Sequence, residues 1–340
     1  MLAFCNDYSE GCHPLILKRL VETNMEELPG YGSDHYTLEA KKKIAAACHA
    51  PNAEVYLLAG GTQSNQVVIA SLLRSYEGVI SCSSGHIAVH EAGAIEETGH
   101  KVLTIPAKEG KLMADDLEKY LLDFDHAASK EHMVQPGMVY ISQPTEYGTL
   151  YSKAELRALH EVAHHYGLPL FVDGARLAYA LATKENDVSL AELAQLSEVF
   201  YFGGTKAGLL CGEAVVFPQG APKHFLTFIK QHGALMAKGR LLGVQFDALF
   251  TDNLYLKIGK NAIGQALRLR AALKEKGYRF AVASPTNQTF VVVDNKKKEE
   301  LAKKVWFDLW DNLDAGHTVI RFCMSWATSK EAVDELIATL

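Results

Sequence analysis

An acidic residue and a lysine follow two successive predicted strands of the sequence. Asp173 ends the buried-strand pattern of residues 168–173 and is followed by Gly-Ala-Arg176. Lys206 lies beyond two glycines at the end of the strand predicted over residues 199–203. Ligands bind outside the carboxyl ends of the strands in open parallel sheets, and a lysine held there is a candidate for forming a Schiff base. The two strand ends therefore predict one site that holds a carboxylate and an amine.

This pair of side chains suits pyridoxal phosphate. A carboxylate keeps the pyridine nitrogen of that cofactor protonated, so that the ring withdraws electrons, while a lysine carries its aldehyde as an imine. The cofactor also needs an anion site. Residues 60–65, Gly-Gly-Thr-Gln-Ser-Asn, follow a predicted strand and open a helix, and the N–H groups of a helix N-terminus hold phosphate. His86 follows the strand that ends near Cys82 and is placed to cover the face of the ring.

Seven short segments occur in an order and spacing that are specific as a set. They are Asn6-Asp7, Gly30-Tyr31-Gly32, Gly61-Thr62-Gln63-Ser64-Asn65, His86 with Glu91-Ala92-Gly93, Asp173-Gly-Ala-Arg176, Gly-Gly-Thr-Lys206 and Arg321-Phe322. With this set the sequence resembles the low-specificity L-threonine aldolases, within the family of pyridoxal-phosphate-dependent β-eliminating lyases, over nearly the whole chain. The resemblance implies an aspartate aminotransferase-like fold. It also implies retro-aldol cleavage of L-threonine or L-allo-threonine to glycine and acetaldehyde.

The resemblance assigns roles to the residues that match the family's motifs. It implies a covalent aldimine of pyridoxal phosphate with Lys206 and a pairing of Asp173 with the pyridine nitrogen. Arg176 would lie near the ring hydroxyl and the substrate, and His86 would stack on the ring. The phosphate would be held by Gly61, Thr62 and Gln63.

Substrate binding and the neighbouring subunit are also implied. Arg321 would bind the substrate α-carboxylate, because a guanidinium fork suits a carboxylate bidentately; a partner within the chain is the alternative. Asn6 stands where the family often has a serine that contacts the same carboxylate. Tyr31 and the segment Lys238-Gly-Arg240 resemble parts that reach the substrate and cofactor of a neighbouring subunit, which implies a homodimer or homotetramer with shared active sites.

The general base is left open between two residues. A histidine that many family members carry in a Thr-His-Asn segment is Glu146 here, within residues 143–148. A base needs hydrogen-bond reach and a pKa near the working pH. His86 meets this requirement most easily, and Glu146, acting directly or through a water molecule, is the alternative.

Three other functions compete with aldol cleavage. The same cofactor serves β-elimination from cysteine-, tyrosine- or tryptophan-type amino acids. A non-catalytic binder of pyridoxal phosphate or of a dinucleotide needs only the glycine-rich turn, although residues 60–65 lack the G-x-G-x-x-G pattern. The segment His160-Glu161-Val-Ala-His164 fits the HExxH zinc motif, and Gly167 extends it, but Leu170 stands where a metzincin has its third histidine. We expect no metal site there, only the wet face of a helix.

Alternating strands and helices must position these residues. Strands are predicted over residues 55–58, 79–82, 102–105, 138–142, 168–173, 199–203 and 214–217. A helix that starts at Ser152 with a capping box to Glu155 is the clearest of those between them. This alternation predicts an α/β fold whose mostly parallel central sheet has helices on both faces.

A different pattern follows residue 222. Helices are predicted over residues 222–232, 243–256, 258–276 and 296–310 and from residue 330, with strands over 289–294 and 318–323. This pattern predicts a smaller C-terminal α+β domain. We expect an N-terminal segment (1–15) associated with the small domain, a large cofactor-binding domain (16–235) and the small domain (236–340).

The composition limits which binding partners and which cellular compartment we expect. The 340 residues include 34 basic and 40 acidic side chains, a net charge of −6, which argues against a nucleic-acid partner. The six cysteines are scattered without a CxxC pair, which suits reduced thiols. No signal-like N-terminus or membrane-length apolar run is present, so we expect a cytoplasmic enzyme with a small amino-acid substrate and no membrane contact.

Overall fold

The computed structural model describes residues 1–340, and its central element is a sheet of seven strands. The strands of the molecule are β1 (Leu2–Ala3), β2 (Glu54–Leu58), β3 (Glu77–Cys82), β4 (Val102–Ile105), β5 (Gln135–Ser142), β6 (Leu170–Asp173), β7 (Val199–Gly203), β8 (Glu213–Phe217), β9 (Arg279–Phe280), β10 (Gln288–Asp294), β11 (Val305–Trp306), β12 (Asp308–Asn312) and β13 (His317–Cys323). The central sheet has the order β2-β8-β7-β6-β5-β3-β4. β8 runs opposite to the other six strands, which all point the same way. The predicted mostly parallel sheet is confirmed.

Helices cover both faces of this sheet. They are α1 (Pro14–Thr23), α2 (His35–Ala47), α3 (Gly61–Leu72), α4 (His86–Val89), α5 (Ala94–Glu97), α6 (Ala114–His126), α7 (Lys153–His165), α8 (Leu177–Ala182), α9 (Leu190–Gln195), α10 (Phe225–Gln231), α11 (Arg240–Leu249), α12 (Leu254–Glu275), α13 (Asn295–Ala302) and α14 (Lys330–Thr339). Successive side chains of a strand point to opposite faces. In β6, Leu170 and Val172 pack into one apolar core with helices such as α7, and Phe171 packs into a second core with α3 and α10.

The crossover from β5 to β6 shows how local sequence positions the site. Ser152 caps α7, and the reciprocal hydrogen bonds with Glu155 form the predicted capping box. Leu156, Leu159 and Ala163 form the buried face of this helix. The helix therefore packs on the sheet and returns the chain to β6.

The C-terminal part contains a separate antiparallel sheet of order β12-β13-β10-β9. It encloses a third apolar core with α12, α13 and α14. β1 lies outside both sheets and pairs in parallel with β11, with Leu2 opposite Val305. This pairing places the N-terminal segment beside the C-terminal part. No helix in the molecule is both long and apolar enough to span a bilayer.

Two helix predictions are wrong in part. The helix predicted over residues 296–310 ends at Ala302, and residues 305–306 and 308–312 are strands. Valine and aromatic residues favour strands, and pairing of β12 with β13 overrides the charged helical pattern. The helix predicted over residues 243–256 is divided between α11 and α12, because Asp252 and Asn253 adopt positive φ angles of 51° and 57°.

The contact between α12 and α8 generates a stability prediction. A Cβ atom on Gly259 would lie 2.1 Å from the carbonyl oxygen of Ala178, whereas a Cβ on Gly264 of the same helix meets nothing within 4 Å. We expect Gly259→Ala to lower the free energy of unfolding by about 1–3 kcal/mol through overpacking. Gly264→Ala should raise it by up to about 1 kcal/mol through helix propensity. Urea denaturation of the two variants checks both expectations. Equal effects of the two substitutions would contradict the close contact between Gly259 and Ala178.

Candidate active site

The carboxyl ends of β5, β6 and β7 meet at one edge of the sheet because these strands are parallel neighbours. Asp173 is the last residue of β6, and Lys206 lies in a short 3₁₀ turn, Thr205–Ala207, directly after β7. Glu146 follows the end of β5. These residues line a cavity of about 350 Å³ whose lining also includes Gly61, Thr62, His86 and Arg176. The structure thus brings together residues that lie far apart in the sequence.

A second cavity, of about 770 Å³, adjoins the first and contains Arg321. The two cavities share part of their lining, namely Tyr8, His86, Glu146, Arg176 and Lys206. Arg321 comes from β13 of the C-terminal sheet. The site therefore lies between the central sheet and the C-terminal sheet.

Asp173 is buried and its carboxylate is surrounded by hydrogen-bond donors. Its Oδ2 accepts a hydrogen bond of 2.5 Å from the Tyr140 hydroxyl and a longer one, of 3.4 Å, from Asn65 Nδ2. Its Oδ1 accepts one of 2.9 Å from the Ala175 backbone N–H. Burial raises the pKa of Tyr140 well above its ordinary value, so the hydroxyl remains a donor. These contacts hold a fixed carboxylate at the floor of the cavity.

Lys206 is held in an environment that favours a neutral amine. Burial and the nearby Arg176 guanidinium lower the pKa of the Lys206 amine, against the opposing effect of Asp7, Asp173 and Glu213. A neutral amine is the nucleophilic form that attacks a carbonyl.

The turn that carries Lys206 is anchored by Glu213, at the start of β8. Glu213 accepts hydrogen bonds from the Gly204 N–H (3.0 Å) and the Thr205 hydroxyl (2.9 Å). Burial raises the pKa of Glu213 to about 8. Gly204 has no room for a side chain, because a Cβ there would lie 2.5 Å from the Gly212 carbonyl oxygen. The turn is therefore fixed from two sides.

The N-terminus of α3 offers an anion site at one end of the smaller cavity. The helix begins at Gly61 after Gly60, and no side chain caps it. The first N–H groups of a helix have no partner within it, and they attract an anion together with the helix dipole. The Gln63 Oε1 accepts a 3.3 Å hydrogen bond from the Ala59 N–H, and Gln63 is not part of the lining of this cavity.

His86 belongs to a buried hydrogen-bonded chain. Its Nδ1 lies 2.6 Å from Glu91 Oε1, and the same oxygen accepts a 2.6 Å hydrogen bond from Asn65 Nδ2. Since Asn65 also contacts Asp173, the chain connects His86 to the cavity floor. Glu91 fixes the imidazole through Nδ1 and leaves Nε2 without an assigned partner.

Glu146 lies directly beside His86. Its Oε1 accepts hydrogen bonds from the His86 backbone N–H (3.0 Å) and from the Ser142 hydroxyl (2.7 Å). Burial raises the pKa of Glu146 above its ordinary value. Both residues considered as the base therefore line the same cavity.

Arg176 forms a buried bidentate ion pair with Asp7. Its Nε lies 2.7 Å and its Nη2 3.1 Å from the two Asp7 oxygens. Asn287 Nδ2 donates a third hydrogen bond to Asp7, of 2.9 Å. Burial alone would raise the pKa of Asp7, but Arg176 and Lys206 lower it below its ordinary value.

Besides Gln63, four residues of the predicted site do not line the two cavities. The Asn6 Oδ1 instead accepts hydrogen bonds from the Tyr8 N–H and the Ser9 hydroxyl, so it closes a local turn. Arg240 donates to the backbone carbonyls of Glu26 and Thr23. Tyr31 and Lys238 are exposed on the surface. In the single chain, the side chains of these four residues lie outside the two cavities.

The HExxH segment lies on the outward side of α7. Glu161 and His164 are exposed, and His160 stacks on His164 with ring centroids 5.8 Å apart. No group of three or more His, Cys, Asp or Glu side chains is arranged to hold a metal ion.

Sequence reasoning missed several polar residues of the site. Tyr140 and Glu213 were not selected, and Asp7 and Glu91 were noted only as parts of motifs. Glu213 offered a signal, because it directly precedes the apolar strand pattern of residues 214–217. Tyr140 offered none, since a tyrosine within a strand pattern is ordinarily a core residue.

Comparisons with known proteins show which family has this sequence and fold. The sequence model of the family described as Beta-eliminating lyase matches residues 9–297. The chain belongs to this family. A relative named low specificity L-threonine aldolase from Pseudomonas aeruginosa is 30% identical over 98% of this chain and 95% of its own length. The solved structure of a threonine aldolase from Leishmania major is 42% identical, with a TM-score of 0.96 over 99% of this chain and 98% of its own.

The fold of this β-eliminating lyase family member is also that of other pyridoxal-phosphate enzymes. A serine palmitoyltransferase, solved with pyridoxal phosphate as an internal aldimine, superposes with a TM-score of 0.73 at 13% identity. The match covers 99% of this chain and 85% of that one. The residues of the present site fit such a cofactor, since a fixed carboxylate, an amine and an uncapped helix N-terminus line one cavity. The site therefore contains the groups that pyridoxal phosphate requires.

The pair of Asp7 and Arg176 gives a stability prediction. In Asp7→Asn the buried guanidinium loses its charged partner, so we expect the free energy of unfolding to fall by about 3–5 kcal/mol. Glu39→Gln is the matched control, because its pair with Lys42 is exposed and contributes at most about 1 kcal/mol. Denaturation at pH 7 checks both, and equal effects would contradict the role assigned to the buried pair.

The ion pair of Asp7 and Arg176 also predicts how the stability lost in Asp7→Asn depends on pH. The folded pKa of Asp7 lies below its ordinary value of 3.8. Its ionised form therefore stabilises the fold above about pH 4, and the contribution is lost as the pH falls through the lower folded pKa.

Proposed function

We propose that the chain is a pyridoxal-phosphate-dependent aldolase that cleaves L-threonine or L-allo-threonine to glycine and acetaldehyde. The observation that carries the proposal is the convergence of Asp173, Lys206 and Arg321 on adjoining cavities. The threonine aldolase names of the relatives support it. Bound at this site, the cofactor supplies an electron-withdrawing ring that accepts the electrons released when the Cα–Cβ bond breaks.

Each cofactor group has a proposed partner in the first cavity. Asp173 would hold the proton of the pyridine nitrogen, and Lys206 would supply the amine that reacts with the aldehyde. The N–H groups of residues 61–63, with the Thr62 hydroxyl, hold the phosphate. His86 covers the ring, and Arg176 lies near its hydroxyl.

The second cavity holds the substrate in this proposal. Arg321 binds the α-carboxylate and fixes the amino acid so that its β-hydroxyl faces His86. Nε2 of His86 takes the hydroxyl proton while Glu91 holds the imidazole through Nδ1. Glu146 supports His86 by accepting its backbone N–H.

We further propose that a homo-oligomer completes the site. Tyr31 and Lys238 are exposed in the single chain, and a neighbouring subunit's site is the place where they and Arg240 would act. The parallel pairing of β1 with β11 supports assigning residues 1–15 to the small domain (236–340), next to a large domain (16–235). All six cysteines are free, which suits a reducing compartment such as the cytoplasm.

Product analysis of the chain loaded with pyridoxal phosphate tests the function. L-Threonine should yield glycine and acetaldehyde in equal amounts, and borohydride should fix the cofactor on the peptide that contains Lys206. Lys206→Ala should lose both turnover and labelling, because no other amine replaces it. Lys303→Ala, at an exposed lysine, is the control. Release of a keto acid and ammonia instead of glycine would identify a β-elimination and overturn the aldolase proposal.

Two substitutions separate the possible bases. His86→Asn removes the proton acceptor, and we expect aldol cleavage to slow by about 10²–10⁴-fold. Glu146→Gln keeps an oxygen for the His86 N–H, so its loss should stay below about 10-fold. Single-turnover rates measured across pH check this order. A larger loss for Glu146→Gln would show that the carboxyl, not the imidazole, takes the proton.

A further inference from the structure

Arg321 already contacts a carboxylate of its own chain. Asp308 Oδ2 lies 2.8 Å from Arg321 Nη2, and the two residues are direct cross-strand partners between β12 and β13. Arg321 also donates from Nη1 to Gln288 Oε1 (2.7 Å) and from Nη2 to the Cys5 carbonyl (3.4 Å). The Trp310 ring covers the guanidinium at 5.0 Å. Nε is buried without a partner.

The place of Asp308 matters because a carboxylate binds a guanidinium best through two neighbouring nitrogens. One such fork consists of Nη1 and Nη2, and the other of Nε and Nη2. Nη2 belongs to both, and it is the nitrogen that Asp308 contacts. A second carboxylate on either fork would meet the like charge of Asp308. Bidentate binding of a substrate through Nη2 is therefore opposed by Asp308 and is favoured when Asp308 withdraws.

The surroundings of Asp308 allow this withdrawal. Its side chain is 40% exposed, against 11% for Arg321. β12 is an edge strand, and a register shift between Leu309 and Asp311 leaves Trp310 as an extra, bulged residue. An edge strand with a bulge has few ladder hydrogen bonds to lose. The carboxylate can turn to water while the sheet stays intact.

We propose that Asp308 occupies Arg321 in the free enzyme and competes with the α-carboxylate of the substrate, so that it sets how tightly carboxylates bind. The proposal rests on the proposed function, in which Arg321 binds that carboxylate. Competition lowers the affinity for every carboxylate, so a simple monocarboxylate binds poorly. An amino acid overcomes the competition through the contacts of its amino group beside Lys206. Asp308 thus raises the affinity that a carboxylate must reach through its other contacts before it occupies the site.

Asp308→Asn tests the competition because it removes the charge and keeps the size. The probe is propionate, a carboxylate without an amino group, used as an inhibitor of L-threonine cleavage by the loaded enzyme. A tryptophan fluorescence titration of the cofactor-free chain, with sodium chloride at equal ionic strength as the blank, provides a second readout through Trp310. We expect propionate to bind about two- to five-fold more tightly, the range given by partly exposed ion pairs.

Two further variants sharpen the comparison. Asp308→Ser also removes the charge and should likewise tighten propionate binding. It provides the test if the asparagine variant does not fold. Asp311→Asn is the matched control, because Asp311 lies on the same strand and lines the same cavity without pairing with Arg321. Its propionate affinity should stay within about two-fold of the wild-type value.

The outcomes separate this inference from the function on which it rests. Unchanged or weaker propionate binding in both Asp308 variants would overturn the inference, since it would mean that Asp308 orients Arg321 for its ligand. Arg321→Gln should weaken propionate binding. If it does not, Arg321 is not the carboxylate site, and that part of the proposed function fails together with the inference.

Discussion

The buried ion pair of Arg176 and Asp7 is the contact on which the site depends. Arg176 follows the end of β6, Asp7 belongs to the N-terminal segment, and Asn287 directly precedes β10 of the C-terminal sheet. A buried guanidinium without a partner would be severely destabilising. The need to neutralise it therefore draws three distant parts of the chain to one edge of the central sheet. Both cavities lie at this junction.

Several ionisable groups lie close together at this junction, and their surroundings affect them in different ways. Asp173 accepts hydrogen bonds from three donors, whereas burial raises the pKa of Glu146 and of Glu213. Burial and Arg176 lower the pKa of Lys206. Opposed shifts of neighbouring groups are characteristic of acid–base sites.

Sequence patterns predicted the seven central strands because buried parallel strands are short, continuous apolar runs. They also predicted Asp173 and Lys206, since the strand ends dictate where such residues meet. The strand β12 escaped prediction because its charged residues form a strand only through pairing with β13. The partner of Arg176 escaped for the same reason, as nothing local relates Asp7 to a residue 169 positions away. Contacts of Tyr31 and Arg240 with a neighbouring subunit stay a prediction, because a single chain does not contain that neighbour.

A crystal structure of the chain with pyridoxal phosphate and glycine tests the central claim most directly. The account predicts the pyridine nitrogen within about 2.7–3.2 Å of an Asp173 oxygen, with the phosphate on the N–H groups of residues 61–63. It also predicts the cofactor's aldehyde carbon within bonding reach of Lys206 or of the glycine nitrogen. A phosphate bound elsewhere, or a ring nitrogen that faces no carboxylate, would contradict the account.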